Sequence, residues 1–238
     1  FPLSWMDEEF EKDVFKVWDC IMQSPFRWGS VAGYFQAAFR NGPEECLEYS
    51  CAKQMQVSGQ TTATADWDIL CKLEKQGILE NLSQTKNGIS FRVKNSLLKK
   101  CLSNHGIWLE LYGYFCAKET GFFDDVRTSL LIDWDGENKQ NGTRNEVDIF
   151  LVKGVTSVFI SCKMGPPSAL ALSEIQVLSA KFGGERAKTV LLTASAVKAE
   201  NRILTERAKD MGIFLIDRGD LGQKDLGQRL IKIAQSYP

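Results

Sequence analysis

The sequence predicts an α/β protein in two parts, a helical N-terminal region over residues 1–104 and a mixed-sheet α/β domain over 105–238. Three observations lead there. Apolar residues recur at helical spacing through the first forty positions. An Asn-Gly pair at 87–88 sits between two strand-like runs. After residue 105, helix and strand patterns alternate, with two strand-to-strand turns before the first helical crossover. At 44% hydrophobic and 25% charged, the 238 residues have the composition of a globular chain, not a disordered or collagen-like one.

The first helix starts at Ser4-Trp5-Met6-Asp7, which has capping-box spacing, and Phe10, Val14, Val17, Trp18 and Ile21 follow on one face. A second helix is expected over Val31–Arg40, ended by Asn41-Gly42-Pro43, and a third from about Pro43 to Met55. The polar run from Gln56 to Thr62 reads as a loop. Asp66–Gln76 is an amphipathic helix with Trp67, Leu70 and Leu73 on its apolar side. Ile78-Leu79 and Ile89–Val93 then flank the Asn87-Gly88 turn, the strongest short hairpin signal. Helix followed by hairpin is the second half of a winged helix. Between Asn81 and Asn104 stand Lys86, Arg92, Lys94, Lys99 and Lys100 with no acidic residue. Such a wing can lie along phosphates, or be a solvated hairpin in a packing module.

The second part reads as a helix over Ile107–Lys118 and a strand with Val126, Thr128, Leu130, Ile132 and Trp134 on one face. A polar turn over Asp135–Thr143 leads to strands Glu146–Lys153 and Val155–Lys163, joined at Lys153-Gly154. Helix Ser168–Phe182, strand Thr189–Ala194, helix Lys198–Met211, strand Ile213–Asp217 and helix Leu221–Ala234 complete an α-β-β-β-α-β-α-β-α order. The hairpin-linked strands exclude a simple Rossmann start, where each strand is followed by a helix.

Period-two alternation puts Glu146 and Asp148 on one side of their strand, with Val147, Ile149 and Leu151 on the other; Ser161 and Lys163 share a face of the next. Glu110 is a lone carboxylate in an apolar helix start, Gly106-Ile107-Trp108-Leu109-Glu110. Charged groups inside apolar strands need partners or a cation.

A helix glutamate, Asp148 on the second strand and a third strand ending Ser161-Cys162-Lys163 resemble the PD-(D/E)xK nucleases, restriction-endonuclease-like in fold. Gly106–Glu110, Asn145-Glu146-Val147-Asp148, Ser161–Gly165 and Leu178–Gly184 are similar to the CRISPR-ancillary nucleases that carry a CARF sensor, in which a winged helix precedes the nuclease domain. The resemblance covers about residues 105–217. It implies a metal-dependent endonuclease acting on DNA, RNA or both, with Mg²⁺ or Mn²⁺ as cofactor. Asp148 would be the main metal ligand, with the Cys162 carbonyl as a second and Glu110 supporting the metal or its waters. Lys163 would orient or deprotonate the attacking water. It also implies a homodimer and a cyclic-oligonucleotide sensor, upstream or on another chain.

The departure from the family is Ser161, which stands where the third-strand acid belongs. Glu174 on the next helix is a candidate replacement ligand, and Glu146 a supporting residue that orients the turn or reaches the metal. The alternative reading is a catalytically impaired nucleic-acid-binding or scaffold protein of the same fold. Arg186 and Lys188 are further candidate backbone contacts, beside Lys86, Arg92 and Lys94. Gly183–Thr189 lacks the phosphate-loop glycines and runs from helix to strand, the wrong context for that motif.

Global charge does not decide the partner: 29 basic against 30 acidic residues leave a net charge of −1, so nucleic-acid binding must rest on local patches. Seven cysteines without a Cys-x-x-Cys pair, and the single His105, argue against structural zinc and for a reducing, cytoplasmic compartment. No apolar run approaches the roughly 20 residues of a membrane span. A start at Phe1 is expected of a piece of a longer protein.

Overall fold

The computed structural model describes residues 6–40, 42–59, 61–86, 88–134, 144–223 and 225–236. Ser4, Trp5, Asn41, Asn87 and the expected turn over 135–143 lie outside them. The chain divides into two compact units after Trp108, inside a helix, not at the residue 104 expected from the pattern change.

The N-terminal unit begins with α1 (Glu8–Gln23) and α2 (Pro25–Phe39). Asp7 caps α1 by accepting the Phe10 amide at 2.8 Å, and Pro25 opens α2 at a position where its missing N–H costs nothing. The stretch expected to be a third helix and a loop is instead β1 (Glu48–Ala52), β2 (Gln54–Ser58) and β3 (Thr61–Thr64). β2 and β3 form their own hairpin, and β1 joins a sheet made by residues forty positions away. Then come α3 (Trp67–Lys75), capped by Asp66, and the hairpin β4 (Leu79–Gln84) and β5 (Gly88–Val93), giving the antiparallel order β1-β5-β4. A short α4 (Ser96–Leu102), not anticipated from the sequence, starts at the cap Asn95.

Lys99 on α4 is 7% exposed. Its ammonium donates to the carbonyls of Pro43, Glu44 and Cys46 at 2.7, 2.9 and 3.0 Å and lies over the Phe39 and Tyr49 rings. Three carbonyls of the segment entering β1 are thereby satisfied by one cation, which a neutral side chain cannot do.

The C-terminal unit is built on α5 (Ile107–Glu119), β6 (Asp125–Asp133), β7 (Arg144–Lys153), β8 (Thr156–Lys163), α6 (Ala169–Phe182), β9 (Lys188–Thr193), α7 (Val197–Glu200), α8 (Arg202–Asp210), β10 (Ile213–Ile216), α9 (Arg218–Leu221) and α10 (Leu226–Gln235). The strands form one mixed sheet, β10-β9-β8-β7-β6, antiparallel from β6 to β8 and parallel from β8 to β10. Two successive crossovers advance in the same direction, so α6 and α8 fall on one face of the sheet. There Leu172, Ile175, Leu178, Leu204 and Ala208 pack against Phe159 and Leu191. The expected helix over 198–211 is broken at Asn201, whose side chain caps α8 at Leu204.

α5 covers the opposite face and comes close because of a glycine. A Cβ at Gly113 would lie 2.6 Å from Ile149 Cδ1 and 3.2 Å from Leu192 Cδ2. α10 then closes on α5 through Gly227, where a Cβ would meet the Cys116 carbonyl oxygen at 2.7 Å. Among the described residues no helix is long and apolar enough to cross a membrane.

Lys99→Met is expected to destabilise the chain by about 2 kcal/mol, since the Glu44 carbonyl loses the ammonium while those of Pro43 and Cys46 keep only the Cys46 amide and the Tyr49 hydroxyl. The shift in urea midpoint measures this; a loss below about 1 kcal/mol would mean that water replaces the ammonium.

Candidate active site

The ladder between β7 and β8 ends at the Ile149–Ile160 rung. Immediately beyond it, the Asp148 side chain reaches across. Its Oδ2 accepts the Cys162 amide at 2.6 Å and the Ser161 hydroxyl at 3.3 Å, and lies 4.0 Å from Lys163 Nζ. The Asp148 side chain is only 19% exposed, so these donors are what make a carboxylate tolerable there.

Strict alternation fails at this point. Val147 lies within the core cluster beneath α6, and Phe150, three residues on, packs against the same cluster. Two positions of opposite parity reach one layer only if the strand twists between them. The partner strand is irregular at the same place: Ser129 on β6 has φ of 52°, a left-handed conformation that costs a non-glycine residue about 1–2 kcal/mol. The Thr128 hydroxyl donates to the Asp148 carbonyl at 3.0 Å.

Glu110 arrives from α5. It stands one turn before Gly113, so the close approach of the helix to Ile149 also delivers the carboxylate to the cluster. Burial, then the charges of Asp148 and Glu146, push Glu110 up to about 7, with Lys163 pulling the other way. Burial also raises Asp148, against the Cys162 amide, Lys163 and the Ser161 hydroxyl. Glu146 is exposed on β7 opposite Leu131 and adds its charge to both.

The structure thus brings together Glu110, Asp148, Ser161, Cys162 and Lys163, with Glu146 at the margin. It does not bring Glu174, which is exposed on α6 and tied to none of them among the described residues. The expected basic patches also change. Arg92 faces Glu80 at 3.6 Å and Glu48 at 3.9 Å; Lys94 is held by Asp13 at 2.6 Å and Glu9 at 2.8 Å. Lys99 is buried, and Lys100 pairs with Glu44. A stretch without acids in sequence is therefore largely neutralised by acids from other elements. Lys188 is 6% exposed at the start of β9, so it offers a phosphate little; Lys86 and Arg186 are exposed. Sequence reasoning missed Thr128, Ser129 and Gly113. Only the last carried a signal, a glycine inside an aromatic helix.

Among the described residues, no group of three His, Cys, Asp or Glu side chains is arranged to hold a metal alone. Two carboxylates beside a backbone-lined strand end still suit Mg²⁺ or Mn²⁺, which take one or two carboxylates and complete their shell with carbonyls, water and phosphate. Burial drives the Cys162 thiol far above its ordinary range, so it is a neutral thiol here and not a ligand for a soft metal.

The family model described as "Card1-like, endonuclease domain" matches residues 98–232. None of the curated proteins matches. Among solved structures, protein VC1899 from Vibrio cholerae is similar over 97% of this chain and 58% of its own, at 18% identity and a TM-score of 0.69. Can2 from Sulfobacillus thermosulfidooxidans, solved in complex with cyclic tetra-adenylate, is similar over 94% of this chain and 57% of its own, at 15% identity and a TM-score of 0.55. At these identities the likeness is one of fold. This chain spans less than three fifths of either neighbour.

Because its carboxyl is raised, Glu110 favours folding while neutral. That stability is complete below the ordinary glutamate value of 4.5 and is lost as pH rises through about 7. Without divalent metal, Glu110→Gln should match wild type near pH 4.5 and exceed it by roughly 3 kcal/mol at about pH 8. Chemical denaturation at both pH values checks this; a gap independent of pH contradicts it.

Proposed function

Because the chain belongs to the Card1-like endonuclease family, we propose that it is a metal-dependent endonuclease that hydrolyses phosphodiester bonds of DNA or RNA at the Glu110–Asp148–Lys163 cluster. The observation that carries this reading is the Asp148 carboxylate, fixed on the amide of the third strand with an amine 4.0 Å away. A bound Mg²⁺ or Mn²⁺ supplies Lewis acidity toward the phosphoryl oxygens and the attacking water. Asp148 and Glu110, with the Cys162 carbonyl, would hold it. Lys163 Nζ orients the water, takes its proton or offsets charge on the phosphate. A divalent cation also relieves the mutual repulsion that burdens Glu110.

Lys86 and Arg186, exposed on their respective units, are the proposed backbone contacts. The proposal includes a homodimer, a cytoplasmic role in CRISPR-linked defence and a cyclic-oligonucleotide sensor on a longer form of this chain or on another. The ligand in the Can2 structure and the greater length of both neighbours support the sensor. One observation favours a second reading, in which the fold binds nucleic acid without cutting it. Where the resembled nucleases carry an acid, the 9%-exposed Ser161 offers Asp148 only a hydroxyl.

Incubation with plasmid DNA and with single-stranded RNA, in Mn²⁺ or EDTA, separates the two. The nuclease reading expects cleavage in Mn²⁺ alone and a loss of at least about 100-fold in Asp148→Ala and Lys163→Ala. Retained binding with no cleavage in any metal supports the second. Ser161→Glu is expected to raise the rate by about tenfold by adding an anionic ligand; an unchanged rate would mean that Asp148 and Glu110 suffice.

A further inference from the structure

The pairing of β6 with β7 is regular except at one rung. Thr128 pairs with Ile149 and Leu130 with Val147, while the rung between them, Ser129 with Asp148, is missing. Ser129 is the residue in the left-handed conformation, with φ of 52°. The irregular backbone and the missing rung coincide. Across that gap the Thr128 hydroxyl donates to the Asp148 carbonyl oxygen at 3.0 Å.

The other side of β7 behaves in the same way. Its ladder with β8 stops at Ile149, and there the Asp148 carboxylate itself accepts the Cys162 amide at 2.6 Å. At Asp148 neither ladder has a paired rung, and a side-chain bond stands on each flank: one holds its peptide, the other is made by its carboxylate. The peptide plane and the carboxylate are joined through a single Cα, so fixing the first restricts where the second can point.

We propose that Thr128 is a positioning residue for Asp148: its hydroxyl, set by the left-handed turn at Ser129, fixes the Asp148 peptide and thereby aims the carboxylate at the Cys162 amide and Lys163. The choice of residues fits. Threonine at 128 occupies a half-buried strand position where β-branching is favoured and supplies the one donor needed. Serine at 129 avoids the clash that a β-branched residue would meet in the left-handed region. The functional consequence rests on the reading of Asp148 as a metal ligand; the geometric consequence does not.

The test uses the full chain with Thr128→Val, which keeps the shape and removes the donor, and Thr128→Ser, which keeps the donor. The first readout needs no metal. A charge-assisted hydrogen bond as short as that to Cys162 moves its amide proton downfield in the ¹H–¹⁵N spectrum. In Thr128→Val this resonance should shift upfield toward the ordinary strand range, and in Thr128→Ser it should stay near wild type. Should Thr128→Val give a spectrum without dispersion, Thr128→Ala, smaller and equally without a donor, reads the same resonance. The second readout is Mn²⁺ binding, followed by the electron paramagnetic signal of free Mn²⁺. Thr128→Val should bind about tenfold more weakly, with affinity recovered in Thr128→Ser. A Cys162 resonance that does not move in Thr128→Val overturns the proposal, as does an equal shift in the Val and Ser variants. If the resonance responds as expected while wild type binds no Mn²⁺, the positioning role stands and the metal-dependent reading falls.

Discussion

Asp148 sits where β7 parts from β8 while still running beside β6, and the structure around it follows from the need to keep a mostly buried carboxylate supplied with donors. The Cys162 amide at 2.6 Å supplies the strongest of them. That bond can form only because β7 and β8 stop pairing one residue earlier, and because the twist there turns Val147 into the core beneath α6. Lys163 then follows on the same strand, with its backbone carbonyl bonded to Ala194 and its register set by Thr193 of β9. Helix α5 completes the arrangement through a missing side chain: with Gly113 against Ile149 and Leu192, Glu110 is brought into the field of Asp148.

The cluster is electrostatically unbalanced. Asp148 and Glu146 raise Glu110, and Glu146 raises Asp148, while the Lys163 amine pulls both the other way. Proximity of like charges in a partly desolvated place is tolerated at a binding site more readily than in a structural core, because a ligand can supply the missing charge. Ser161 bears on this balance. Its hydroxyl donates to Asp148 without adding charge, so the metal-free chain is spared a further repulsion that a glutamate would bring.

Much of this was legible in the sequence where the determinants are local. The helices starting near Asp66 and Ser168, the strands β7 and β8 and the order of helix, hairpins and crossovers are written in neighbouring residues, though the alternation of β7 breaks at Asp148. The elements misread are those whose partners are distant. β1 carries too few apolar residues to declare itself, and its pairing comes from β5, forty positions on. β2 alternates Met55 and Val57 with polar residues over only five positions, and β3 has Ala63 as its one apolar residue, so both are too short to stand out without their mutual register. The apparent basic wing failed for a related reason: charge is neutralised in space, and Glu9, Asp13, Glu48 and Glu44 come from other elements. Glu110, Asp148 and Lys163, which the fold brings together, stood out because each is a charged group in an apolar run. Thr128 and Ser129 were not, because nothing local to a serine in a strand reveals a left-handed backbone.

The sheet joins two kinds of construction, and the join falls inside the cluster. Asp148 and the end of β8 belong to the half built from adjacent hairpins, whose contacts close early and locally. The backbone of Lys163 is held by β9 and the Ala194 amide that follows it, which must first travel out and back through α6. A growing polypeptide that has emerged only as far as residue 187 therefore lacks both the strand that steadies the amine and Leu192, against which the helix bearing Glu110 packs. The cluster is assembled late in synthesis, with the first parallel crossover.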